Sequence, residues 1–341
     1  MVENLNNLIS GHNLAQSCDL IYSEYTSLEQ LDKINKDENL IIDSGKNFIL
    51  FKKKFFKLNE NDIIFTNHFF LNDLFKKLNK IDNLKNIKLV THWSDNEINE
   101  KLFNTKPRCI SKWYGINVNY EHPDLIPIPL GLAGNYSQKN LIVSSLNNKN
   151  ELKNKNNLLY INFQKNTNNK ERDNILNYFD GKSWVTIKEP TLTLEEYQND
   201  ISNSKFVLCP FGNGFDTHRL WEVLYCGSIP IVKQHQTYKT LTSLPVLFIS
   251  NFEQLNENFL SSKYEEIISK DYSLDKLNVN FWISMIKEIQ IESSEKYDVK
   301  FSNLELNYIK IKYLISKYFL RYRKKIFFRF NQVKNLFFKF K

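Results

Sequence analysis

The sequence predicts an α/β protein of two domains, and three observations support this fold class. The chain has 341 residues, more than a single hydrophobic core usually accommodates, so two domains of roughly 150 residues are expected. Short β-rich runs alternate with segments of helical periodicity, as in α/β folds. Residues 212–227 hold three of the nine glycines between two apolar runs, which indicates a strand, a turn, a helix and a strand.

The first domain is predicted over residues 1–145. Strands are expected at 40–42, 48–51, 62–66 and 87–91, and helices at 27–35 and 72–79. Residues 125–131 contain two prolines and therefore cannot form a central strand. The polar, asparagine-rich segment 135–157 has no apolar periodicity and is interpreted as the connection between the domains.

The second domain is predicted over residues 155–300. It begins with a strand at 158–163 and a loop that leads into a helix containing Arg172. The later elements are a strand at 184–187, a helix at 193–202, the glycine block, a strand at 246–249, and helices at 252–269 and 278–291.

The glycine block predicts an anion site. Its turn precedes a helix that starts near Thr217, and the N–H groups at a helix start favour a phosphate. Arg219 and Glu222 are three residues apart, so they project from one helix face. A guanidinium can bind a phosphate and a carboxylate can accept sugar hydroxyls, which together describe a sugar-nucleotide pocket. The alternative is a solvated ion pair, which would explain neither the glycines nor the apolar opposite face.

The net charge of +8 is concentrated at the C-terminus. Residues 317–341 contain nine basic residues and no acidic one, so the rest of the chain is close to neutral, which argues against a nucleic-acid partner. Apolar residues recur there at spacings of three and four: Phe319, Tyr322, Ile326, Phe330, Val333, Phe337 and Phe340. Within a C-terminal helical region, 301–341, this pattern predicts a basic amphipathic helix on an anionic membrane surface. The alternative is a terminal helix that packs across the two domains.

Several motifs resemble the exostosin-like glycosyltransferases, including bacterial and viral members. The most specific similarity lies in 205–232, which includes the Arg219 and Glu222 block, and shorter similar pieces occur at 91–95, 112–123 and 128–132. The resemblance implies a GT-B architecture, in which two Rossmann-like domains face each other across a cleft. The second domain would hold a nucleotide sugar and the first an acceptor. Trp93 departs from the family pattern, where a small polar residue is more usual.

The resemblance also implies roles for individual residues. Glu222 would accept the ribose hydroxyls and Arg219 would hold the diphosphate, while His218 would either contact the donor or cap its helix. The predicted donor-binding residues are Asn162, Asn166, Thr167, Arg172, Gly212, Asn213, Gly214, Asp216, Thr217, His218, Arg219 and Glu222.

The predicted catalytic residues are His92, Asp95 and Arg219. His92 and Asp95 follow a predicted strand and lie at the carboxyl edge where α/β proteins bind ligands, so either could be the general base. The alternatives are a structural role for His92 and capping of the following helix by Asp95. Arg219 would stabilise the leaving diphosphate. Because the chain contains no Asp-x-Asp, neither an essential metal nor another cofactor is expected.

The sequence therefore predicts a metal-independent glycosyltransferase that transfers a sugar from a nucleotide sugar to a glycan or lipid-linked acceptor in cell-surface glycan synthesis. The alternative is a non-catalytic nucleotide- or nucleic-acid-binding module. No secretory leader or spanning segment is recognised, and four scattered cysteines favour a reducing compartment. A cytoplasmic protein, peripheral at the inner face of the membrane, is expected.

Overall fold

Two five-stranded parallel sheets form the framework of the protein. The computed structural model describes residues 7–134, 141, 155–287 and 295–319. Elements of the first half are α1 (Gly11–Ala15), β1 (Leu20–Ile21), β2 (Ser23–Ser27), β3 (Asn39–Ser44), β4 (Phe48–Lys53), β5 (Phe55–Asn59), β6 (Ile63–Asn67), α2 (Leu71–Leu78), β7 (Ile87–His92), α3 (Glu100–Phe103), β8 (Ile110–Gly115) and β9 (Leu125–Pro127). Its parallel sheet has the order β1-β6-β7-β8-β9. The proline-containing strand β9 lies at the edge, as expected for a strand in which Pro127 lacks an N–H group.

The second half repeats the parallel arrangement. Its elements are β10 (Asn157–Ile161), α4 (Asn169–Phe179), β11 (Val185–Ile187), α5 (Leu194–Ser202), β12 (Ser204–Leu208), α6 (His218–Tyr225), β13 (Ile229–Lys233), β14 (Leu247–Ile249) and α7 (Glu257–Ile268). The strand order is β11-β10-β12-β13-β14, with every pair parallel. The central strands read as continuous apolar runs because helices cover both faces of such a sheet. The predicted α/β class is confirmed.

The first half also contains an antiparallel sheet, whose pairing the sequence pattern did not predict. The predicted strands at 40–42 and 48–51 are present as β3 and β4, and they belong to this separate sheet of order β2-β4-β3. Only three residues join β3 to β4, whereas a parallel crossover needs a dozen or more, so this pair can only form a hairpin. The helix predicted at 27–35 is a 3-10 turn, Leu28–Lys33.

The C-terminal part of the described chain returns to the first half. Helix α8 (Val279–Lys287) belongs to a buried cluster that includes Ile9 and Trp221, one residue from each half. The hydroxyl of Tyr225 accepts the Ile9 N–H (2.9 Å) and donates to the Leu277 carbonyl (2.7 Å). It therefore connects the N-terminal segment to the residues that precede α8. Strand β15 (Lys296–Lys300) pairs with β5 in antiparallel register.

Residues 303–319 are helical and pack against α2 of the first half. Lys77 forms an ion pair with Glu305 (2.8 Å), and Lys317 contacts Asp43. The predicted membrane helix, 317–341, begins inside this segment, but residues 320–341 lie outside the described part of the chain. Among the described residues, no helix combines the length and apolarity needed to cross a membrane.

Candidate functional site

The strand order of the second sheet marks where a ligand site is expected. β10, β11, β12, β13 and β14 are arranged in the order 2-1-3-4-5 by their position in the chain, as in doubly wound folds. The order reverses between β10 and β12, and ligands of open α/β sheets bind beyond the carboxyl ends of the strands at this switch point. The segment after β10 and the glycine loop after β12 both begin here.

These two loops line a cleft of about 600 Å³ that lies between the two sheets. Residues of the second half on its wall are Gln164, Thr167, Arg172, Gly212, Asn213, Gly214, Asp216, Thr217, His218, Arg219 and Glu222. Residues of the first half are Tyr25, Phe48, Trp93, Ser94, Asp95, Asn117, Leu130, Ala133 and Gly134. The structure therefore brings most of the predicted donor-binding residues to one surface.

Helix α6 presents Arg219 and Glu222 to the cleft, and one tyrosine holds both. The Tyr197 hydroxyl donates to Glu222 Oε2 (2.7 Å) and accepts from Arg219 Nε (3.2 Å). Burial raises the pKa of Tyr197 well above its usual value, so the hydroxyl keeps its proton. In the described part of the chain, no ion pair within 4 Å joins Arg219 to Glu222. The reading of these residues as a simple ion pair is therefore wrong.

Arg172 is the second cation on the cleft wall. Its guanidinium donates to the backbone carbonyls of Phe211 (3.1 Å), Gln164 and Pro210, which fixes the two loops at the switch point. Burial is the main cause that lowers the pKa of Arg172, to about 10, and the charge of Arg219 lowers it further. Two arginines that repel each other at one cleft form a site that an anion would stabilise.

Two buried hydroxyls and a helix start complete the anion site. The Oγ1 atoms of Thr167 and Thr217 are buried and have no hydrogen-bond partner in the described structure. Thr217 is also the N-cap of α6, but its side chain makes no capping hydrogen bond. A Cβ at Gly212 would lie 3.5 Å from Arg172 and 4.0 Å from Thr167, so backbone, guanidinium and hydroxyl converge at this glycine. Such orphan donors beside a helix start suit phosphate oxygens.

The glycine loop is fixed by the first half of the chain. Asp216 accepts the Leu130 N–H (2.8 Å) and the Trp221 indole N–H (3.1 Å), and its own N–H donates to Asn117 Oδ1 (2.9 Å). Burial raises the pKa of Asp216 to about 7, against the effect of these donors. A side chain at Gly214 would approach Asn117 to 2.7 Å, so only glycine allows this contact. Asp216 therefore holds the glycine loop in place, and it also lines the cleft.

The remaining predicted residues take other positions. His92 is 1% exposed and does not line the cleft, and burial lowers its pKa to about 3, so its ring has no path to a substrate. Asp95 lines the cleft and accepts a hydrogen bond from Asn213 Nδ2 (3.1 Å). Asn162 is buried and donates to the Glu189 carbonyl, and Asn166 is exposed away from the cleft.

His218 contacts the first half rather than capping its helix. Its Nδ1 lies 2.7 Å from the Gly131 carbonyl, so a proton on Nδ1 donates across the cleft. Gly131 has a positive φ of 68°, and a Cβ there would collide with the Ile9 carbonyl at 2.3 Å. Glycine at position 131 therefore allows the backbone of this segment to lie close to both Ile9 and His218.

Sequence reasoning missed the aromatic wall of the first half. Tyr25, Phe48 and Trp93 line the cleft opposite α6, and their rings pack edge to face at 5.7 Å and 6.3 Å. Trp93 has a positive φ of 54°, an uncommon backbone state for a bulky residue. Trp93, which departs from the family pattern, was the sequence feature that could have indicated this aromatic wall. Among the described residues, no group of three or more His, Cys, Asp or Glu side chains is arranged to hold a metal.

The fold and the site define the class of the protein. It is an α/β protein whose cleft at the switch point carries positively charged groups suited to a phosphate. Residues 156–289 match a family model described as the RXYLT1 C-terminal domain. This is a xylosyltransferase family related to exostosin-like glycosyltransferases, so the match indicates a glycosyltransferase-related function. The matched region runs from β10 to α8 and includes Arg172, Arg219 and Glu222. No curated protein matches the chain.

Proposed function

We propose that this protein is a glycosyltransferase of GT-B architecture that transfers a sugar from a nucleotide sugar to a glycan or lipid-linked acceptor. The observation that carries the proposal is the pairing of Arg219 and Glu222 on one face of α6, both held by Tyr197 and both facing the cleft. Glu222 would accept the ribose hydroxyls and Arg219 would bind the diphosphate. The family match over residues 156–289 supports a sugar-transfer role for this half.

The charges around the cleft suit a leaving diphosphate. A nucleoside diphosphate gains negative charge as the bond to the sugar breaks, and fixed cations and N–H groups stabilise that charge most. Arg172, Thr167 and Thr217 lie within 4.0 Å of a Cβ placed at Gly212, and Arg219 lines the same cleft on the first turn of α6. These groups would receive the diphosphate without a metal, and no cofactor beyond the sugar nucleotide is proposed.

The acceptor would bind against the first half. Tyr25, Phe48 and Trp93 offer apolar ring faces and edges opposite the donor residues, and such rings pack well against the C–H faces of sugars. An acceptor on this wall would lie between the aromatic rings and the donor. This arrangement supports a saccharide as the acceptor.

The decisive experiment measures nucleotide binding. Saturation with a nucleoside diphosphate at 100 times its dissociation constant should stabilise the protein by about 2.7 kcal/mol, read as a rise in Tm. UDP, GDP and ADP are the nucleotides to test first, and UDP-xylose is the first nucleotide sugar to test because of the family match. Arg219→Ala should abolish the shift, whereas Arg108→Ala is the matched control because Arg108 is exposed away from the cleft. No shift with any nucleotide would contradict the donor site, and a shift without turnover of any nucleotide sugar would favour a non-catalytic nucleotide-binding module.

We also propose that the C-terminal region attaches the enzyme to an anionic membrane surface at the cytoplasmic face. One face of helix 303–319 leaves large apolar side chains more than half exposed: Leu304, Tyr308, Ile311, Ile315 and Tyr318. Their spacings of four and three place them on one stripe, opposite the buried Leu306 and Ile309. The following residues, 320–341, contain eight basic residues and no acidic one. Exposed apolar side chains beside cationic residues are typical of helices that lie on anionic lipid.

A further inference from the structure

A buried carboxylate and a histidine form a pair beside the acceptor wall. His12 lies on α1, and its Nδ1 is 2.6 Å from Oε1 of Glu24 on β2. The Glu24 side chain is 2% exposed, whereas that of His12 is 28% exposed. The short Nδ1 contact assigns the Nδ1 proton to the hydrogen bond with Glu24. Nε2 is then the ring nitrogen that can take up a proton.

The position of this pair connects it to the cleft. His12 lines a small recess together with Tyr25 and Gly134, and these two residues also line the main cleft. Glu24 follows Ser23, whose hydroxyl accepts the N–H of Asn67 at the end of β6, so the pair lies at the carboxyl edge of the first sheet. His12 itself lines the recess, which adjoins the first-half wall of the cleft at Tyr25 and Gly134.

Local packing holds the histidine in place. A Cβ at Gly11 would lie 2.6 Å from both His92 and Trp93, so α1 packs directly on the segment that forms the aromatic wall. Burial raises the pKa of Glu24, and the hydrogen bond to Glu24 raises the pKa of His12. The other titratable groups that face His12 are Tyr25 and Glu29 in the recess and His92 beneath α1, which burial keeps neutral.

We propose that His12 is the general base of the transfer reaction and that Glu24 is its positioning residue. The proposal rests on the function proposed above. His12 Nε2 would take the proton of the acceptor hydroxyl while that oxygen forms a bond to the anomeric carbon of the donor sugar. The bond from this carbon to the diphosphate breaks, and the nucleoside diphosphate leaves with the electron pair. Glu24 stabilises the imidazolium, which returns its proton to solvent after the glycoside departs.

The other candidate bases fit this role less well. His92 is buried away from the cleft, and Asp95 is engaged with Asn213 of the opposite loop. A carboxylate as buried as Glu24 is costly to ionise unless it is paired, and a partly exposed imidazole that carries its proton on Nδ1 is the partner that a base dyad requires. The pair thus combines a buried carboxylate with a partly exposed ring in a recess that adjoins the cleft.

The test separates catalysis from folding and from donor binding. His12→Gln should lower kcat/KM about 10²- to 10⁴-fold for release of nucleoside diphosphate from the nucleotide sugar that the wild type turns over. Its affinity for the nucleoside diphosphate, measured by calorimetry, should equal that of wild type, and a cooperative thermal transition should show that the variant is folded, with a Tm lowered by the loss of the partner of Glu24. His122→Gln is the matched control, because His122 is similarly exposed beside a carboxylate, Asp124, but lies off the cleft.

The pH profile tests the role of Glu24. Because the base must be neutral, kcat/KM should rise with pH through the pKa of His12. Glu24→Gln removes the interaction that raises this pKa, so the rising limb should move to lower pH, and the His12 pKa measured by NMR should fall with it. If Glu24→Gln does not fold, the His12 variant and the wild-type NMR titration decide the question.

The outcomes are distinguishable. Normal kcat/KM in folded His12→Gln, or an unchanged His12 pKa in Glu24→Gln, would overturn the dyad while leaving the proposed function intact. Wild-type protein that binds no nucleotide would overturn the proposed function, and the dyad with it. Retained nucleotide binding with lost turnover in His12→Gln, and normal turnover in His122→Gln, would establish His12 as the base.

Discussion

Removal of one hydroxyl, in Tyr197→Phe, should impair both donor-binding side chains at once. Tyr197 donates to Glu222 (2.7 Å) and accepts from Arg219 (3.2 Å), so its oxygen sets the orientation of a carboxylate and a guanidinium together. The ring also lies beneath Arg219, 5.8 Å from the guanidinium carbon, and this contact would remain in the variant. The substitution therefore removes the hydrogen bonds and little else.

The magnitude follows from the type of contact. A hydrogen bond to a charged group contributes about 1.5–3 kcal/mol, and both partners here are charged when a nucleotide binds. Arg219 and Glu222 stay in place on α6, so we expect the loss of one such interaction rather than of two whole side chains. A loss of about 1.5–3 kcal/mol corresponds to a decrease in kcat/KM of about 10- to 150-fold.

The assay compares kcat/KM and nucleoside diphosphate affinity in Tyr197→Phe and wild type, with Tm as the measure of folding. Tyr297→Phe is the control, because the half-buried Tyr297 on β15 also donates to a glutamate, Glu295 (2.6 Å), but through a solvent-exposed hydrogen bond. The control should match wild type in every measurement. A folded Tyr197→Phe protein with kcat/KM within a factor of two of wild type would refute the assignment of Arg219 and Glu222 to the donor site.

Three further predictions concern metal, membrane and pH. Turnover should persist in excess EDTA because Arg172 and Arg219 would receive the diphosphate; complete, reversible loss on chelation would contradict this mechanism. Truncation after Phe319 should weaken cosedimentation with anionic vesicles, because the eight basic residues of 320–341 are lost while the exposed apolar side chains of helix 303–319 remain. Nucleotide binding should stay unchanged, and high salt should weaken vesicle binding of the full chain. Unfolding of the truncated protein would indicate a structural role instead. Burial lowers the pKa of Lys52 to about 7, so its charge destabilises the folded protein below pH 7 and this cost disappears as pH rises towards 10.5. Lys52→Met should therefore increase the free energy of unfolding at pH 6 by up to about 5 kcal/mol, a gain that shrinks in denaturant titrations at higher pH; an equal gain at all pH values would refute the shift.

Local patterns predicted the features that depend on local sequence. The helix with Arg219 and Glu222 was predictable because glycine punctuation and three-residue spacing fix both its start and its face. The helix at 193–202 was predictable from another local signal, because Thr193 and Glu196 form a capping box at its start. The hairpin of β3 and β4 was also predictable in principle, because a three-residue connection excludes a parallel crossover.

Contacts between distant segments were not predictable in this way. Tyr197 lies on a different helix from Arg219, and only the packing of α5 beside α6 brings its hydroxyl to both side chains. His12 meets Glu24 because α1 crosses the end of the first sheet, and neither residue stands in a recognisable motif. His92 had the correct position in the chain, after a strand, but the burial of its side chain depends on α1 and on the backbone near Leu130. Strand ends can be predicted from sequence, whereas side-chain accessibility depends on tertiary packing.

The contacts of Asp216 with Leu130 and Asn117 make the geometry of the donor pocket depend on both halves of the chain. The matched region, 156–289, contains every arginine and glutamate proposed to touch the nucleotide. Yet the loop that carries Gly214 takes its shape from Asn117 and Leu130, which follow strands β8 and β9 of the other sheet. A fragment limited to the matched region would keep the charges but lose the template that arranges them, and would leave a buried carboxyl without its donor from Leu130. Affinity for the donor is thus encoded partly in residues of the first half, outside the matched region.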